Sequence, residues 1–184
     1  MRMHAAPQMR EAAAQQISPT GLHRRGRGDV LPSLGFFGDA SELIVPVRGV
    51  QRDALVDTWG AARAQGRTHQ GIDIMAPMGT PVLAVRDGRI MRFFDSVRGG
   101  VTIYQFDLAQ NYVFYYAHLS ARAPGLTEGA QVRQGQVIAY VGQTGNATTP
   151  HLHFEIERLG ADKKWYHAEA VNPYPYLLNG EAPR

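Results

Sequence analysis

From Ser41 onward the chain is a succession of short β-branched and aromatic runs, each ended by a glycine-containing turn. LIVPV (43–47), PVLAV (81–85), RIMRFF (89–94), VTIYQF (101–106), YVFYYA (112–117), QVIAYV (136–141) and LHFEIE (152–157) have the length and composition of strands. The turns DG (87–88), RGG (98–100), RQG (133–135) and GQTGN (142–146) punctuate them. No helix of three turns is legible between 41 and 160, so the pattern predicts a mainly β domain of antiparallel strands. Two stretches, GTPVLAVRDGRI (79–90) and GAQVRQGQVIAYVG (129–142), share a strand–glycine–strand rhythm. Each reads as a strand pair bent at glycine, the repeated element of a barrel-sandwich fold. VNPYPYLL (171–178) closes the domain.

Residues 1–40 differ in texture. They are rich in alanine, glutamine, arginine and glycine, contain GLHRRGRGD (21–29), and show little hydrophobic periodicity. A short helix near Met9–Gln16 fits the composition, and the rest reads as loop. The expected organisation is a tail over 1–40, flexible or partly helical, and one β-domain with long loops over 41–180. The opening MRMHAAPQMREAAAQQ lacks the apolar core of a secretory signal, and no stretch approaches the roughly 20 apolar residues of a membrane-spanning helix.

Charge and cysteine content narrow the chemistry. The formal charge is +3, and arginine supplies 17 of the 19 basic residues, Lys163 and Lys164 being the exceptions. No basic run is interleaved with aromatics, so no nucleic-acid partner is expected. The chain has no cysteine, which excludes disulfides, thiolate catalysis and cysteine-ligated metal.

Four of the seven histidines stand near glycines and strand ends. In His69-Gln70-Gly71-Ile72-Asp73 an extended backbone puts His69, Gly71 and Asp73 on one face and Ile72 and Ile74 on the other. Gly71 then removes a side chain where a metal would sit. In Pro150-His151-Leu152-His153-Phe154-Glu155 the same period pairs two imidazoles against two apolar residues. Imidazoles so close would repel if charged, and binding a metal is their commonest shared purpose. His118 ends the most aromatic run and, taken alone, reads as a structural histidine. Taken together, His69, Asp73 and one of the 151/153 pair supply the three ligands of a catalytic zinc, which keeps a fourth position for water. The other histidine of the pair and His118 remain to move protons or stabilise an oxyanion.

These segments resemble the lysostaphin-type (LytM-like) zinc metallopeptidases, whose hallmark motifs are H-x-x-x-D and H-x-H. The likeness runs over about 45–176: WG…R…GRTHQGIDI, APMGTPVLAVRDGRI, YYAHL, GAQVRQGQVIAYVGQTGN, PHLHFEI and VNPYPYL stand in order. The resemblance implies a barrel-sandwich β-domain with the site in a groove, one Zn2+ per chain on His69, Asp73 and His153, and His118 and His151 as unligated active-site residues. It also implies a cell-envelope endopeptidase acting on the peptide stems or cross-bridges of peptidoglycan, with a metal-bound water as nucleophile. YQFDLAQ (104–110) departs from the simpler glycine-containing turn of many members, which places loop geometry and substrate preference in question.

Competing readings attach to particular residues. Glu155 shares the ligand face and is a rival base, although ordinary ion-pairing accounts for it. Trp59 and Arg63 fit either groove lining or packing and solvation. Tyr115 and Tyr116 fit a core and its edge, and His4, His23 and His167 fit solvent. A catalytically silent wall-binding module or amidase activator is the alternative function, against which the full ligand set weighs. A lipoyl or biotinyl carrier needs a lysine at a hairpin tip, and GQTGN has none. Segments that precede such domains can lie over the groove; here His23, Asp29 or Asp39 carries the donor atoms to reach a metal.

Overall fold

A computed structural model describes residues 42–183. The expected tail lies outside the described residues, and with it His4, His23, Asp29 and Asp39.

The strands are β1 (Ala62–Arg63), β2 (Arg67–Thr68), β3 (Ile72–Met75), β4 (Pro81–Leu83), β5 (Gly88–Ser96) and β6 (Gly100–Asp107). They continue with β7 (Tyr112–Arg122), β8 (Gln131–Val132), β9 (Val137–Val141), β10 (His151–Arg158) and β11 (Glu169–Val171), followed by one helix, α1 (Pro173–Asn179). The pairings among them are antiparallel. β1 and β2 form a separate hairpin, and the main sheet runs β11-β10-β7-β6-β5-β8, with β3 on β10 and β9 between β7 and β4. The expected mainly β, antiparallel fold is the fold observed.

The sequence pattern explains the layering. Leu152, Phe154 and Ile156 of β10 are fully buried, as are Ile72 of β3 and Phe114 and Tyr116 of β7. Each such side chain contributes about 1.5–3 kcal/mol by leaving water. A one-residue slip would turn that whole apolar set outward, so the register is firmly fixed. It places His153 opposite Asp73 on one side and Ala117 on the other. Tyr116 carries its hydroxyl into the core with full satisfaction: it donates to Gln105 Oε1 at 2.8 Å and accepts the Val85 N–H at 3.0 Å.

Two local expectations change, and one segment for which no element was expected gains a helix. The two glycine-bounded segments do not each fold on themselves. They interleave, β4 pairing with β9 (Val82 opposite Ala139) and β5 with β8 (Gly88 opposite Val132). LIVPV does not form a ladder, because Pro46 lacks an N–H. Leu43 and Ile44 bond singly to the Gly180 and Val85 carbonyls at 2.9 and 3.2 Å, and Leu43 and Val47 are core residues. Finally, the closing VNPYPYLL contains α1. Asn172 caps it by accepting the Tyr174 N–H at 2.9 Å, proline occupies the first turn, and Gly180 ends it at φ 77°.

Candidate metal centre and groove

The β1–β2 hairpin delivers the chain directly into His69: Ala61 O accepts the His69 N–H and His69 O accepts the Gly60 N–H, each at 2.9 Å. His69 is buried, and its Nδ1 lies 2.7 Å from Thr58 O. A carbonyl only accepts, so Nδ1 carries the proton and Nε2 turns its lone pair into the groove. Asp73, on β3, is anchored by its N–H to Thr58 Oγ1 at 3.0 Å. Its Oδ2 pairs with Arg63, leaving Oδ1 facing the histidines. His153, on β10, places Nε2 2.6 Å from Glu155 Oε1 and thereby turns Nδ1 toward the same point.

Three atoms converge there. His69 Nε2 is 2.8 Å from His153 Nδ1, and each is 3.1 Å from Asp73 Oδ1. With the imidazole protons committed to Thr58 and Glu155, what meets is two nitrogen lone pairs and a carboxylate. That arrangement is repulsive unless a proton or a cation lies between them. A tetrahedral zinc, with bonds of about 2.0–2.1 Å, spaces its donors about 3.3 Å apart, close to what these residues offer. The donor set therefore fits the metal, and His69, Asp73 and His153 are the group that could hold it. Thr58 and Glu155 supply the hydrogen bonds that would orient these imidazoles as ligands. Burial by itself would raise the Asp73 carboxyl, but the His153 and His69 imidazoles outweigh it and hold the group well below the usual carboxylate range. Burial likewise opposes charge on His153, and its bonds to Asp73 and Glu155 overcome this, raising it to about 9. A cation at Nδ1 would take the place of the proton that Asp73 attracts there, while Glu155 keeps the proton on Nε2.

Two further imidazoles stand alongside. His151 donates from Nδ1 to Thr149 O at 2.8 Å, and its Nε2 is 3.5 Å from Asp73 Oδ1. His118 donates from Nδ1 to Thr144 O at 2.9 Å, and its ring centroid lies 4.8 Å from that of His151. Burial, reinforced by the neighbouring His151, lowers His118 to about 4. At neutral pH its Nε2 is thus an unprotonated acceptor.

His118 reaches this place by a break in β-geometry. Alternation along β7 would turn it into the core beside Tyr116. Instead the register shifts between Val101 and Ile103 of β6, and His118 takes φ 60°. This bulge swings the ring onto the face of Tyr115 and Ala117, which also line the groove. It also marks where β7 exchanges partners, from β10 at Ala117 to β9 at Leu119. The GQTGN segment locks the bend. Thr144 Oγ1 donates to Leu119 O and accepts the Val101 N–H, at 2.8 and 3.0 Å. A side chain at Gly142 would start 2.2 Å from Ser120 N and 2.7 Å from His118 O.

Several single-residue expectations can now be placed. Gly71 is required by close packing on β10, since a Cβ there would lie 2.4 Å from Phe154 O and 3.1 Å from His153 Cε1; the metal position is not what excludes it. Glu155 orients His153 from the far side of its ring. Arg63 lines the groove and Trp59 does not. Tyr116 is core, whereas Tyr115 lines the groove with its ring centroid 6.0 Å from that of His153. His167 is exposed and bonded to Asp162 at 2.8 Å. The unusual YQFDLAQ contributes nothing to the groove lining. It closes the far end of the β6–β7 hairpin, where Asp107 Oδ1 accepts the Asn111 and Tyr112 N–H groups at 2.7 and 2.8 Å.

An antiparallel β-domain with two imidazoles and a carboxylate converging in a groove, and two more imidazoles beside them, is a scaffold for a single-metal site. The model of Peptidase family M23 matches residues 67–173, and the chain belongs to that family. It is 42% identical over 131 residues to the DD-carboxypeptidase/endopeptidase Mpg of Neisseria meningitidis serogroup B, a match that takes in 71% of this chain and 26% of that protein. The chain thus spans about a quarter of that relative's length. The catalytic domain of lysostaphin from Staphylococcus simulans superposes with a TM-score of 0.57 at 31% identity, covering 65% of this chain and 88% of that one. A zinc-containing peptidase from Vibrio cholerae superposes at 0.54 with 28% identity, covering 62% and 36%.

Proposed function

We propose that this chain is a zinc endopeptidase that hydrolyses peptide stems or cross-bridges of bacterial peptidoglycan in the cell envelope. The observation that carries this reading is the convergence of His69 Nε2, Asp73 Oδ1 and His153 Nδ1 beside the imidazoles of His118 and His151, each held through Nδ1 by a backbone carbonyl. The names of the similar proteins, a DD-carboxypeptidase/endopeptidase and the antimicrobial peptidase lysostaphin among them, support a peptidase reading. Among the described residues no helix is long and apolar enough to cross a membrane. The same reading assigns residues 41–180 to the catalytic domain and 1–40 to a tail outside it.

His69, Asp73 and His153 would hold the metal. When bound, zinc supplies a Lewis acid for the scissile carbonyl and makes water nucleophilic near neutral pH. The protein's own contribution is proton traffic. His118, neutral and held by Thr144 O, accepts a proton at Nε2. His151, held by Thr149 O, presents its Nε2 beside Asp73; once it has taken up a proton there it hydrogen-bonds the developing oxyanion or hands that proton to the leaving amine. Arg63 keeps the second Asp73 oxygen occupied, so the carboxylate offers one donor atom. The test digests purified peptidoglycan with zinc-loaded and chelator-treated protein and identifies the products by mass spectrometry. New amino termini released only by the loaded protein are expected; no release by either would sink the reading.

A further inference from the structure

We infer that the β1–β2 hairpin carries a carboxylate-binding subsite, with Arg67 as the residue that recognises an ionised carboxylate on the peptide being cleaved. The inference rests on the peptidase reading above and gives its substrate a required chemical feature.

The hairpin places Arg63 and Arg67 directly opposite one another. Cross-strand partners share a face, and like charges so placed repel unless an anion offsets them. Arg63 has its anion in Asp73. Arg67 has no carboxylate partner among the described residues, and its Nε–H is buried without any acceptor. Both arginines line the groove of about 860 Å³ that contains the five site residues. Arg67, half-buried, thus shares with those residues the groove in which a peptide would lie. A guanidinium is a planar fork of donors that suits a carboxylate held by two hydrogen bonds, and it stays charged at any physiological pH. Arg98 also lines the groove, with no ion pair among the described residues, so three arginines there face two carboxylates, Asp73 and Glu155, and the balance favours an anionic chain.

Two similar arginines thus have divided duties. Arg63 serves the protein's own carboxylate, and Arg67 serves the substrate's. A peptide whose carboxylates are all amidated keeps the scissile bond and loses the feature that Arg67 reads.

The experiment uses a purified cross-linked muropeptide dimer and the same dimer with its carboxylates converted to primary amides. Both are offered to the zinc-loaded full chain and to its Arg67→Gln and Arg67→Lys variants, with cleavage followed by chromatography and binding by calorimetry. Loss of one charge-assisted contact corresponds to about 10–100-fold. The wild type is expected to prefer the free acid by about that factor in kcat/KM. The preference should collapse toward unity in Arg67→Gln and survive in part in Arg67→Lys, a point charge without the fork. Zinc content measured on each variant separates this from damage to the metal centre. Equal cleavage of acid and amide by the wild type would overturn the inference and leave the peptidase reading intact. A preference undiminished in Arg67→Gln would overturn it equally. Tight, Arg67-dependent binding of the acid with no cleavage of either dimer would do the reverse, sustaining the subsite and sinking the peptidase.

Discussion

The two halves of this site are built in opposite ways. Asp73 and His153 stand on regular strands in uninterrupted antiparallel register, each facing the groove by simple alternation while Ile72, Leu152 and Phe154 face the core. His118 stands on a bulge at φ 60°, at the bend where β7 changes partners, and is held by a loop that needs glycine at 142 to approach it. The donor half draws its precision from the sheet, whose register is secured by many buried side chains. The half proposed to handle protons draws its position from an irregularity that the sheet must over-determine, as functional strain generally requires. This difference makes the halves separable by mutation.

The largest effect is expected at the donor half. Asp73→Ala removes the only carboxylate oxygen of the cluster and leaves Arg63 without its partner, so bound zinc should fall from about one per chain to near none, and hydrolysis with it. Elemental analysis after dialysis measures this. Undiminished zinc in the variant would remove Asp73 from the centre and break the division into halves. Next in size, His118→Ala and His151→Ala should keep their zinc and lose turnover by about 10²–10⁴-fold. Zinc loss in His151→Ala, with retention in His153→Ala, would mean that the roles on β10 are exchanged.

That division also explains what was legible in the sequence. Asp73, His151 and His153 follow from a period of two, and so does the burial of the residues between them. The H-x-x-x-D and H-x-H spacings are projections of strand geometry onto the chain. His118 is different, because alternation from Tyr116 gives the wrong face and no residue type announces a bulge. Only the cluster of motifs pointed to it. The pairing of β4 with β9 and β5 with β8 was equally hidden, since two similar glycine-bounded segments fit a self-closed hairpin as well as an interleaved one. The short α1 did leave a signal: Asn172-Pro173 followed by Gly180 is a cap, a first-turn proline and a stop. Two prolines and two tyrosines within seven residues obscured it.

A smaller effect sharpens the picture of the donor half. Glu155 reaches the proposed metal centre through His153 Nε2, at 2.6 Å. Glu155→Gln keeps the shape and an acceptor oxygen but removes the charge that fixes the imidazole's proton. Zinc affinity, measured by competition with a chelator of known strength, should weaken by about 10–100-fold, with the fold unchanged by circular dichroism. An unaltered affinity would show that the sheet alone orients His153.

The smallest expected effect separates the halves most cleanly, because it changes sign between them. At an extended strand position glycine is less stable than alanine by about 0.5–1 kcal/mol, since it loses more backbone freedom on folding. His153 is such a position, so His153→Gly should be less stable than His153→Ala. At His118 the left-handed backbone imposes a cost of about 1–2 kcal/mol on any side chain with a Cβ, and glycine escapes it. His118→Gly should therefore be more stable than His118→Ala by roughly 1 kcal/mol, although both lack the imidazole and both lose its bond to Thr144 O. That shared loss cancels in the comparison, which isolates the backbone. Denaturant unfolding in excess chelator keeps zinc linkage out of all four measurements. Alanine more stable than glycine at both positions would mean that His118 sits in ordinary extended backbone, and the contrast between a regular half and a strained half would fall.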